Sequence, residues 1–445
     1  MSDDLFLQGR LSDTYFDRDH TFQPALLSLD LRKKFHIVTL EDNSEIYVYS
    51  EYGGCYEPNG AKKLREIIKK VLDFEYLEHY ATATINDITA CTYIRRDKFC
   101  FPTYLIPVKN GLIDLSSNPW KLQPHNPRYY ITNVLPNEYN PVAKAPKFKK
   151  YLEEVLPSEV ERTRLQEHVG YILYPRNIFE VAVLLTGPPD TGKSTFIKIL
   201  QALLGERNVT NITLQDLEMD RFALANLDEK LACMYADLPK ITLRTSGFIK
   251  SIVSGDRQNA QHKHKPRFDF VPRVKLWFSA NEPPLTYDTT DAFFKRWDIF
   301  EFKNQYPLGD PKRDNFLIDE LTTFEELSGI LNWALEGRQR LLSNRSFSGM
   351  KSIEERREIW LLGASSLYRF VKKCTEEKTN ATIIKEDFQG EYADYCARNK
   401  LPVLSVKSVG SLLPNLVPSV RTCRVKVGDR QVYAWKGIEI VGFDS

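Results

Sequence analysis

The stretch VAVLLTGPPDTGKSTFIKIL, residues 181–200, decides the fold of the middle of the chain. Its apolar run, VAVLLT, is typical of a strand buried in a parallel sheet. Phe196, Ile199 and Leu200 then follow at the spacing of one helix face. Between the two lies GPPDTGKS, residues 187–194, which matches GxxxxGK[ST] in the strand–loop–helix context that a phosphate-binding loop requires. The middle of the chain is therefore predicted to be α/β.

Residues 187–194 supply the groups that bind a nucleotide. Glycines let backbone N–H groups curl around phosphate oxygens, and Lys193 can reach the β and γ phosphates. The Ser194 hydroxyl can ligate Mg²⁺, and the helix N-terminus favours negative charge. The predicted cofactors are therefore ATP and Mg²⁺. The predicted nucleotide-binding residues are Gly187, Pro188, Pro189, Asp190, Thr191, Gly192, Lys193, Ser194 and Thr195.

Two further apolar runs, LACMYA (231–236) and VKLWFSA (274–280), read as buried strands, and each is followed by a polar residue. Asp237 at the end of the first can hold Mg²⁺ together with Ser194. The alternative is an ordinary turn Asp before Pro239. Asn281 at the end of the second can contact the γ-phosphate or the attacking water. Its alternative is a turn residue before the prolines that follow.

An arginine follows Asn281 at a distance of 15 residues, in the segment FFKRWDIFEF (293–302). Apolar neighbours should anchor Arg296, which can then serve as a finger that stabilises transition-state charge on the γ-phosphate. Lys295 is a weaker candidate for the same role. The alternative is a structural arginine that pairs with Asp291 or Asp298. Lys193, Asp237, Asn281 and Arg296 are therefore the predicted catalytic residues.

The segment 240–275 is strongly basic, with nine Lys/Arg against Asp256 and Asp269. Its centre, NAQHKHKPRFDF, reads as a strand, a basic tip and a second strand. Such a hairpin can grip a phosphate backbone. The alternative is an ordinary solvated hairpin. The predicted DNA-binding residues of this hairpin are Lys263, His264, Lys265 and Arg267.

Composition sets outer limits on function. With 61 Lys+Arg and 59 Asp+Glu in 445 residues, the net charge is +2, which excludes a uniformly basic chromatin-like protein. The seven cysteines include no CxxC pair, so a disulfide framework or zinc ribbon is not expected. The first residues lack an apolar signal region, and no apolar run approaches the ~20 residues of a membrane span. We expect reduced thiols, no membrane contact and a cytoplasmic location.

Pro- and Ser-rich segments at 134–148 and 341–352 predict a division into three parts. Residues 1–145 read as an α+β domain, and 146–342 as a helical segment plus the α/β ATPase core. Residues 353–445 read as helices followed by a hairpin around Gly428-Asp429, an order that fits a winged helix. Arg424 and Lys426 in that hairpin are predicted to bind DNA. The alternative is a wing used only for protein contacts.

Read together, GPPDTGKS, LACMYADLP, the basic segment through VKLWFSANEPP, and DAFFKRW resemble the superfamily 3 helicases. The poxvirus-type and phage- or plasmid-type primase-helicases are the branch that the chain resembles most. NGLIDL (110–115), PHNPRYYIT (124–132), YNPVAKAPKF (139–148) and LQEHVGYIL (165–173) resemble the region that precedes this ATPase. ELSGILNWALEGRQRLL (326–342) resembles the segment that follows it. The resemblance thus extends over most of the chain.

The resemblance implies AAA+-like subunits in a ring, usually a hexamer, with ATP at the subunit interfaces and Arg296 acting on the neighbour's nucleotide. It further implies a basic hairpin that tracks one DNA strand, 3′ to 5′, through the central channel. The expected partners are single-stranded and forked duplex DNA, further copies of the chain, and a separate primase or other replisome proteins. No primase catalytic domain is recognised ahead of the ATPase, so we expect no priming activity.

One departure from the usual pattern concerns the general base. Asp237 is followed by Leu238 and Pro239 rather than by a second acid, which leaves Glu282 and Asp228 as weak candidates for the general base.

Two other functions of the chain stay open. An AAA+ origin-melting initiator or replisome loader would keep the ATPase without processive unwinding. A small-molecule P-loop kinase would leave the basic hairpin and Arg296 unexplained.

Overall fold

A computed structural model describes residues 12–99, 102–220, 222–263 and 265–441. Its fold is multidomain and α+β, with a parallel sheet at the centre of the chain. Among the described residues, no helix is both long and apolar enough to cross a membrane.

The N-terminal domain is a small sheet covered by helices, as predicted. Its elements in chain order are α1 (Pro24–Lys34), β1 (Ile37–Leu40), β2 (Ile46–Ser50), β3 (Cys55–Glu57), α2 (Gly60–Leu72), α3 (Glu78–Cys91) and β4 (Tyr93–Ile94). The strand order is β3-β2-β1-β4, and only β4 runs parallel to its neighbour. Leu64 and Ile68 on α2 are fully buried against the sheet, which is what their helical spacing predicts.

A three-stranded antiparallel sheet and two helices lead into the central region. They are β5 (Leu105–Val108), β6 (Gly111–Asp114), β7 (Lys121–Gln123), α4 (Pro146–Val155) and α5 (Glu159–Ile172). Ile106 and Ile113 of this sheet share one buried cluster with Phe148 of α4. The other face of the small sheet packs against the N-terminal domain, since Leu105 and Leu112 share a buried cluster with Cys55 of β3. The small sheet therefore joins the N-terminal domain to the central core.

The central sheet has five parallel strands. The elements of this region are β8 (Ala182–Thr186), α6 (Lys193–Leu204), β9 (Val209–Thr210), α7 (Leu214–Met219), β10 (Ala232–Tyr235), α8 (Gly247–Ser254), β11 (Gln258–Gln261), β12 (Arg267–Phe270), β13 (Lys275–Ala280), α9 (Asp291–Phe294) and β14 (Trp297–Glu301). The order across the sheet is β14-β8-β13-β10-β9. Strands β11 and β12 form a separate antiparallel hairpin.

Both faces of the central sheet are covered, which is why its strands read as continuous apolar runs. Val183 and Leu185 of β8 belong to the cluster that contains α6, whereas Leu184 belongs to the cluster that contains α8. Each large aliphatic side chain buried in this way contributes about 2 kcal/mol to stability. The packing therefore holds the ends of the strands, where the polar residues lie, in a defined place.

The C-terminal region combines helices with a three-stranded antiparallel sheet. Its elements are α10 (Leu317–Leu321), α11 (Phe324–Asn344), α12 (Ile353–Ala364), α13 (Ser366–Cys374), β15 (Thr375–Ile384), α14 (Lys385–Asn399), α15 (Val406–Leu416), β16 (Arg421–Val427) and β17 (Arg430–Ile440). The strand order is β15-β17-β16. The hairpin predicted around Gly428-Asp429 is confirmed, since Val427 pairs with Arg430. Strand β15 was not predicted.

Candidate nucleotide-binding site and basic hairpin

The loop 187–192 joins β8 to α6, so the predicted strand–loop–helix unit is confirmed. Gly187 has φ +141°, and a Cβ there would lie 2.0 Å from the carbonyl oxygen of Phe302. Gly192 has φ +91° and is the N-cap of α6. Both positions need glycine because a side chain would clash or strain the backbone. The loop therefore brings backbone N–H groups to the start of a helix, where anions are favoured.

Lys193 folds back over this loop. Its Nζ donates to the carbonyl oxygens of Gly187 at 2.7 Å and Pro188 at 2.6 Å, and to Thr191 Oγ1 at 3.2 Å. Burial lowers the pKa of the ammonium, and the charges of Asp237 and Asp190 offset part of that effect. The ammonium of Lys193 therefore lies near the N-terminus of α6. The positive end of the helix dipole also favours the negative charge of a phosphate at that place.

Ser194 and Asp237 lie close together at the carboxyl edge of the sheet. The Ser194 hydroxyl donates to the carbonyl oxygen of Ala236 at 3.3 Å, one residue before Asp237. Both side chains are exposed. A hydroxyl and a carboxylate are oxygen ligands of the kind that Mg²⁺ prefers, so this pair fits the ion. The charge of Asp237 also acts on Lys193, which places it within electrostatic reach of the loop.

Asn281 completes this edge. Strand β13 lies directly beside β8, with Ala280 opposite Thr186, so Asn281 comes next to the start of the loop. Strand β10, which carries Asp237, is one strand further away. The backbone N–H of Leu238 donates to the carbonyl oxygen of Ser279 at 2.8 Å and ties the two strand ends together. The predicted residues Lys193, Ser194, Asp237 and Asn281 are therefore brought to one edge of the sheet.

The two candidates for the general base lie at opposite edges of the sheet. Glu282 follows Asn281 at the carboxyl edge, but its carboxylate pairs with Lys240 at 3.0 Å and lies 3.7 Å from Arg369. Asp228 precedes β10, so it belongs to the amino edge, far from the loop. Asp228 is therefore not placed to act as the base at the loop of its own subunit. Its position follows from the direction of β10, which starts after Asp228 and ends beside the loop.

Several contacts to the loop come from residues that the sequence did not single out. Tyr151 donates its hydroxyl to the carbonyl oxygen of Gly192 at 2.7 Å. Arg313 pairs with Asp190 at 3.0 Å, and the Tyr306 N–H donates to the Asp190 carbonyl oxygen at 2.7 Å. These partners are 41 or more residues in sequence from the loop residues that they contact, and no local motif marks them. They fix a loop whose Asp190 has a positive φ of 59°.

Arg296 lies at the edge of the sheet opposite to the loop. It precedes β14, and its carbonyl oxygen accepts from the N–H of Ala182 at the start of β8. The guanidinium pairs with Glu180 at 3.1 Å and donates to Ser254 Oγ at 3.3 Å. The pairing with Asp291 or Asp298 that was the alternative reading is wrong, because those acids have other partners. Asp291 pairs with Arg357, and Asp298 pairs with Arg164 and His168.

The basic hairpin, which we define as β11, β12 and the tip between them, has the predicted strand–tip–strand form. Phe268 and Phe270 anchor it in the core, while Lys263 and Arg267 are exposed and have no ion-pair partner in the described part of the chain. Lys265 pairs with Glu45 of the N-terminal domain at 3.1 Å. His264 lies outside the described residues.

The N-terminal domain also contacts the base of the basic hairpin. The Arg96 guanidinium lies 4.6 Å from the ring centroid of Phe268 and pairs with both Asp42 and Asp228. Burial raises the pKa of the Asp228 carboxyl to about 6, against the opposing charge of Arg96. A cavity of about 870 Å³ lies between the two domains. Its lining residues include Arg176, Arg257 and Arg267.

The remaining predicted DNA contacts lie on the C-terminal hairpin, which consists of β16 and β17. Arg424 and Lys426 alternate on one face of β16, and both are exposed. Among the described residues, no cluster of three or more His, Cys, Asp or Glu side chains could hold a metal ion.

Two family models match separate parts of the chain. One is a family of unknown function, DUF5906, which matches residues 185–296. That span begins inside β8, ends at Arg296, and contains Lys193, Asp237 and Asn281. The other is described as D5 N terminal like and matches residues 30–157, which include most of the N-terminal domain.

A solved structure shares the fold. The A form apo structure of the NrS-1 C-terminal region has a TM-score of 0.53 at 12% identity, and the match covers 93% of this chain and 99% of that chain. Two further apo structures of the same region, residues 305–718, have TM-scores of 0.49 and 0.47 at 12% identity. They cover 93% and 95% of this chain and 99% and 100% of theirs. The likeness at 0.53 indicates a common fold across nearly the whole chain.

Proposed function

We propose that the chain is an ATP-dependent DNA helicase or translocase of the superfamily 3 type, which acts in the replication of a virus or mobile element. The observation that carries the proposal is the meeting of Lys193, Ser194, Asp237 and Asn281 at one edge of a parallel sheet. Ligands of open α/β sheets bind at the carboxyl edge of the strands. The match to the D5 N terminal like family supports the primase-helicase resemblance.

Each residue at this edge has a role in the proposed hydrolysis. The loop N–H groups and Lys193 bind and orient the phosphates, and Asn281 positions the attacking water or the γ-phosphate. Ser194 and Asp237 would hold Mg²⁺, which neutralises charge that develops on the phosphates. Glu282 is the remaining candidate for the base, because it adjoins Asn281 and its partner Lys240 is exposed. Catalysis of this kind depends on positioning and electrostatics.

The proposed assembly is a ring, with six copies as the family resemblance implies, in which Arg296 serves a neighbouring subunit. The position of Arg296 at the opposite edge of the sheet supports this, because it cannot reach the nucleotide of its own subunit. The basic hairpin would then face the central channel, where Lys263, Lys265 and Arg267, with His264, contact single-stranded DNA. We retain the division at 1–145, 146–342 and 353–445, with an AAA+-like core and a winged helix, as part of this proposal.

The test is ATP hydrolysis with and without single-stranded DNA. We expect DNA to stimulate the wild type and the Lys263→Ala/Lys265→Ala variant to lose that stimulation while it keeps its basal rate. The matched control is Lys62→Ala/Lys70→Ala on α2, which removes the same charge from exposed positions. Hydrolysis that is indifferent to DNA, or stimulation that the hairpin variant retains, would contradict the motor and favour the initiator or loader.

A further inference from the structure

The C-terminal hairpin is a second concentration of positive charge, remote in sequence from the basic hairpin. Residues 421–436 contain five Lys/Arg, namely Arg421, Arg424, Lys426, Arg430 and Lys436, against Asp429 alone. Most of these side chains are exposed, since the two strands extend beyond the packed core of this region. A strand sends alternate side chains to opposite faces, so these cations divide into two sets.

One face joins cations to an aromatic ring. Arg424 lies directly opposite Tyr433, with its guanidinium 4.9 Å from the ring centroid, and it donates to the Tyr433 hydroxyl at 2.8 Å. Lys426 lies two residues along the same face, opposite Gln431. Tyr433 is 54% exposed even though its position is fixed by Arg424. A fixed ring beside two cations is a preorganised surface rather than a set of freely moving side chains.

Lys385 extends this face from the start of α14. Its Nζ donates to Thr422 Oγ1 at 2.8 Å and lies 3.7 Å from the ring centroid of Trp435. The same Nζ is 5.9 Å from the Tyr433 ring. Thr422 and Trp435 are cross-strand partners on the face that carries Arg424. Lys385, Arg424, Lys426 and Tyr433 therefore form one continuous surface, which we call the cationic face.

The cations of this face are not neutralised within the chain. In the described residues, Lys385, Arg424 and Lys426 form no ion pair with a carboxylate. By contrast, Lys378 on the far strand of the same sheet pairs with Glu439 at 2.8 Å. Lys385 and Arg424 are held in position but form no ion pair, so they lose little entropy and no existing ion pair when they bind phosphate oxygens.

The neighbouring helix indicates which form of DNA the face accepts. Helix α15 packs into the same buried cluster as Trp435, which lies on the cationic face. The exposed residues of this helix are Val406, Lys407, Gly410, Ser411 and Asn415, and only Val406 and Lys407 among them are neither short nor an amide. A Cβ added at Gly410 would meet nothing within 4 Å, so this side of the helix is open. A smooth helix surface beside a cationic hairpin fits the grooved, rigid surface of a duplex better than a flexible single strand.

We propose that the cationic face binds the phosphodiester backbone of duplex DNA, separately from the basic hairpin and without regard to base sequence. Lys385, Arg424 and Lys426 contact phosphates, and Tyr433 holds Arg424 in place and packs against the sugar. The inference rests on the proposed function only for the nature of the ligand, which is DNA. Through the cationic face, the chain would bind the duplex arm of a replication fork.

The experiment measures the salt dependence of binding to a duplex and to a single strand of the same length, by fluorescence anisotropy without ATP. The Arg424→Gln/Lys426→Gln variant should reduce the slope of log K against log salt for the duplex by about 1.8, since each phosphate contact contributes about 0.9. Its binding to the single strand should be unchanged. The control is Arg421→Gln/Arg430→Gln, which removes the same charge from the opposite face of the hairpin.

Three outcomes would overturn the proposal: an unchanged duplex slope, an equal loss for the control, or an equal loss for the single strand. Thermal melting of both variants verifies folding, and the substituted side chains are exposed. Repeating the measurement in the Lys263→Ala/Lys265→Ala background separates this inference from the proposed motor. If the Lys263→Ala/Lys265→Ala protein still binds the duplex but its hydrolysis is no longer stimulated by DNA, both proposals are supported. Loss of duplex binding in this background would contradict only the inference about the cationic face, and retained stimulation would contradict only the proposed motor.

Discussion

At the scale of single residues, two cations define the proposed chemistry from opposite edges of one sheet. Lys193 lies at the loop that follows β8, whereas Arg296 lies at the start of the adjacent strand β14. The five residues of β14 span about 16 Å. An arginine at the far end of that strand cannot reach a phosphate beside Lys193 in the same subunit. In the proposed ring, Arg296 therefore serves the nucleotide of a neighbouring copy rather than that of its own subunit.

We expect Arg296→Ala to reduce ATP hydrolysis by about 10³-fold or more while ATP binding is largely retained, because a finger stabilises transition-state charge. Lys193→Ala should abolish hydrolysis by loss of phosphate binding. A mixture of the two inactive proteins should recover activity, since some interfaces then combine an intact loop with an intact finger. Lys295→Ala tests the weaker candidate at the exposed neighbouring position, and retained hydrolysis in that variant would leave Arg296 as the finger. Mixtures that remain inactive at every ratio would contradict the proposal that Arg296 acts on the nucleotide of a neighbouring subunit.

At the scale of elements, some strands were predicted well and others were not. Strands β8, β10 and β13 were predicted because burial on both faces makes their sequences continuously apolar. Strand β14 contains Asp298, which is fully buried and paired with Arg164 and His168 from a distant helix. Strand β15 is mostly polar and exposed at the edge of its sheet. Neither pattern is typical of a core strand.

The loop 187–192 depends on glycine at the junction of two elements. Gly187→Ala should lower the free energy of unfolding by about 1–3 kcal/mol and weaken ATP binding, because its Cβ would meet the Phe302 carbonyl at a positive φ. Gly410→Ala on α15 is the control. It should raise stability by about 0.5–1 kcal/mol, since the site is helical and open. Denaturant unfolding measures the stability, and nucleotide titration measures the binding. Equal effects of the two substitutions would refute the argument.

At the scale of the whole molecule, the N-terminal domain is tied to the basic hairpin and to the segment before β10. Arg96 joins Asp42, Asp228 and Phe268, and Lys265 pairs with Glu45. A buried ion pair that loses one partner is costly, whereas an exposed pair contributes little. The Arg96 contacts therefore hold the hairpin base to the N-terminal domain, and the Glu45–Lys265 pair at the tip is easily exchanged for a phosphate.

This contact should make stability depend on pH. The pKa of Asp228 is about 6 in the folded protein, above its ordinary value near 4, so the folded state binds the proton more tightly. The associated stability is complete below about pH 4 and is lost as the pH rises through 6. Between pH 5 and 7 the wild type should lose about 1 kcal/mol relative to Asp228→Asn. Denaturant unfolding of both proteins at the two pH values measures their free energies of unfolding. If the two proteins lose the same free energy between these pH values, Asp228 is not the group responsible.

The sequence by itself determined the strand–loop–helix unit around residues 187–192, the three apolar strands and the hairpin around Gly428-Asp429, because each depends on neighbours within a few residues. The sequence also predicted that Asp237 and Asn281 lie beside the loop, since each ends a buried strand. Only the tertiary structure decided that Asp228 and Arg296 lie at the opposite edge of the sheet. The order β14-β8-β13-β10-β9 places strands that are distant in sequence side by side, and local periodicity carries no information about that order. For the same reason the contacts of Arg96, Arg313 and Lys385 appeared only when the packing was known, since pairs so far apart in sequence meet through the fold.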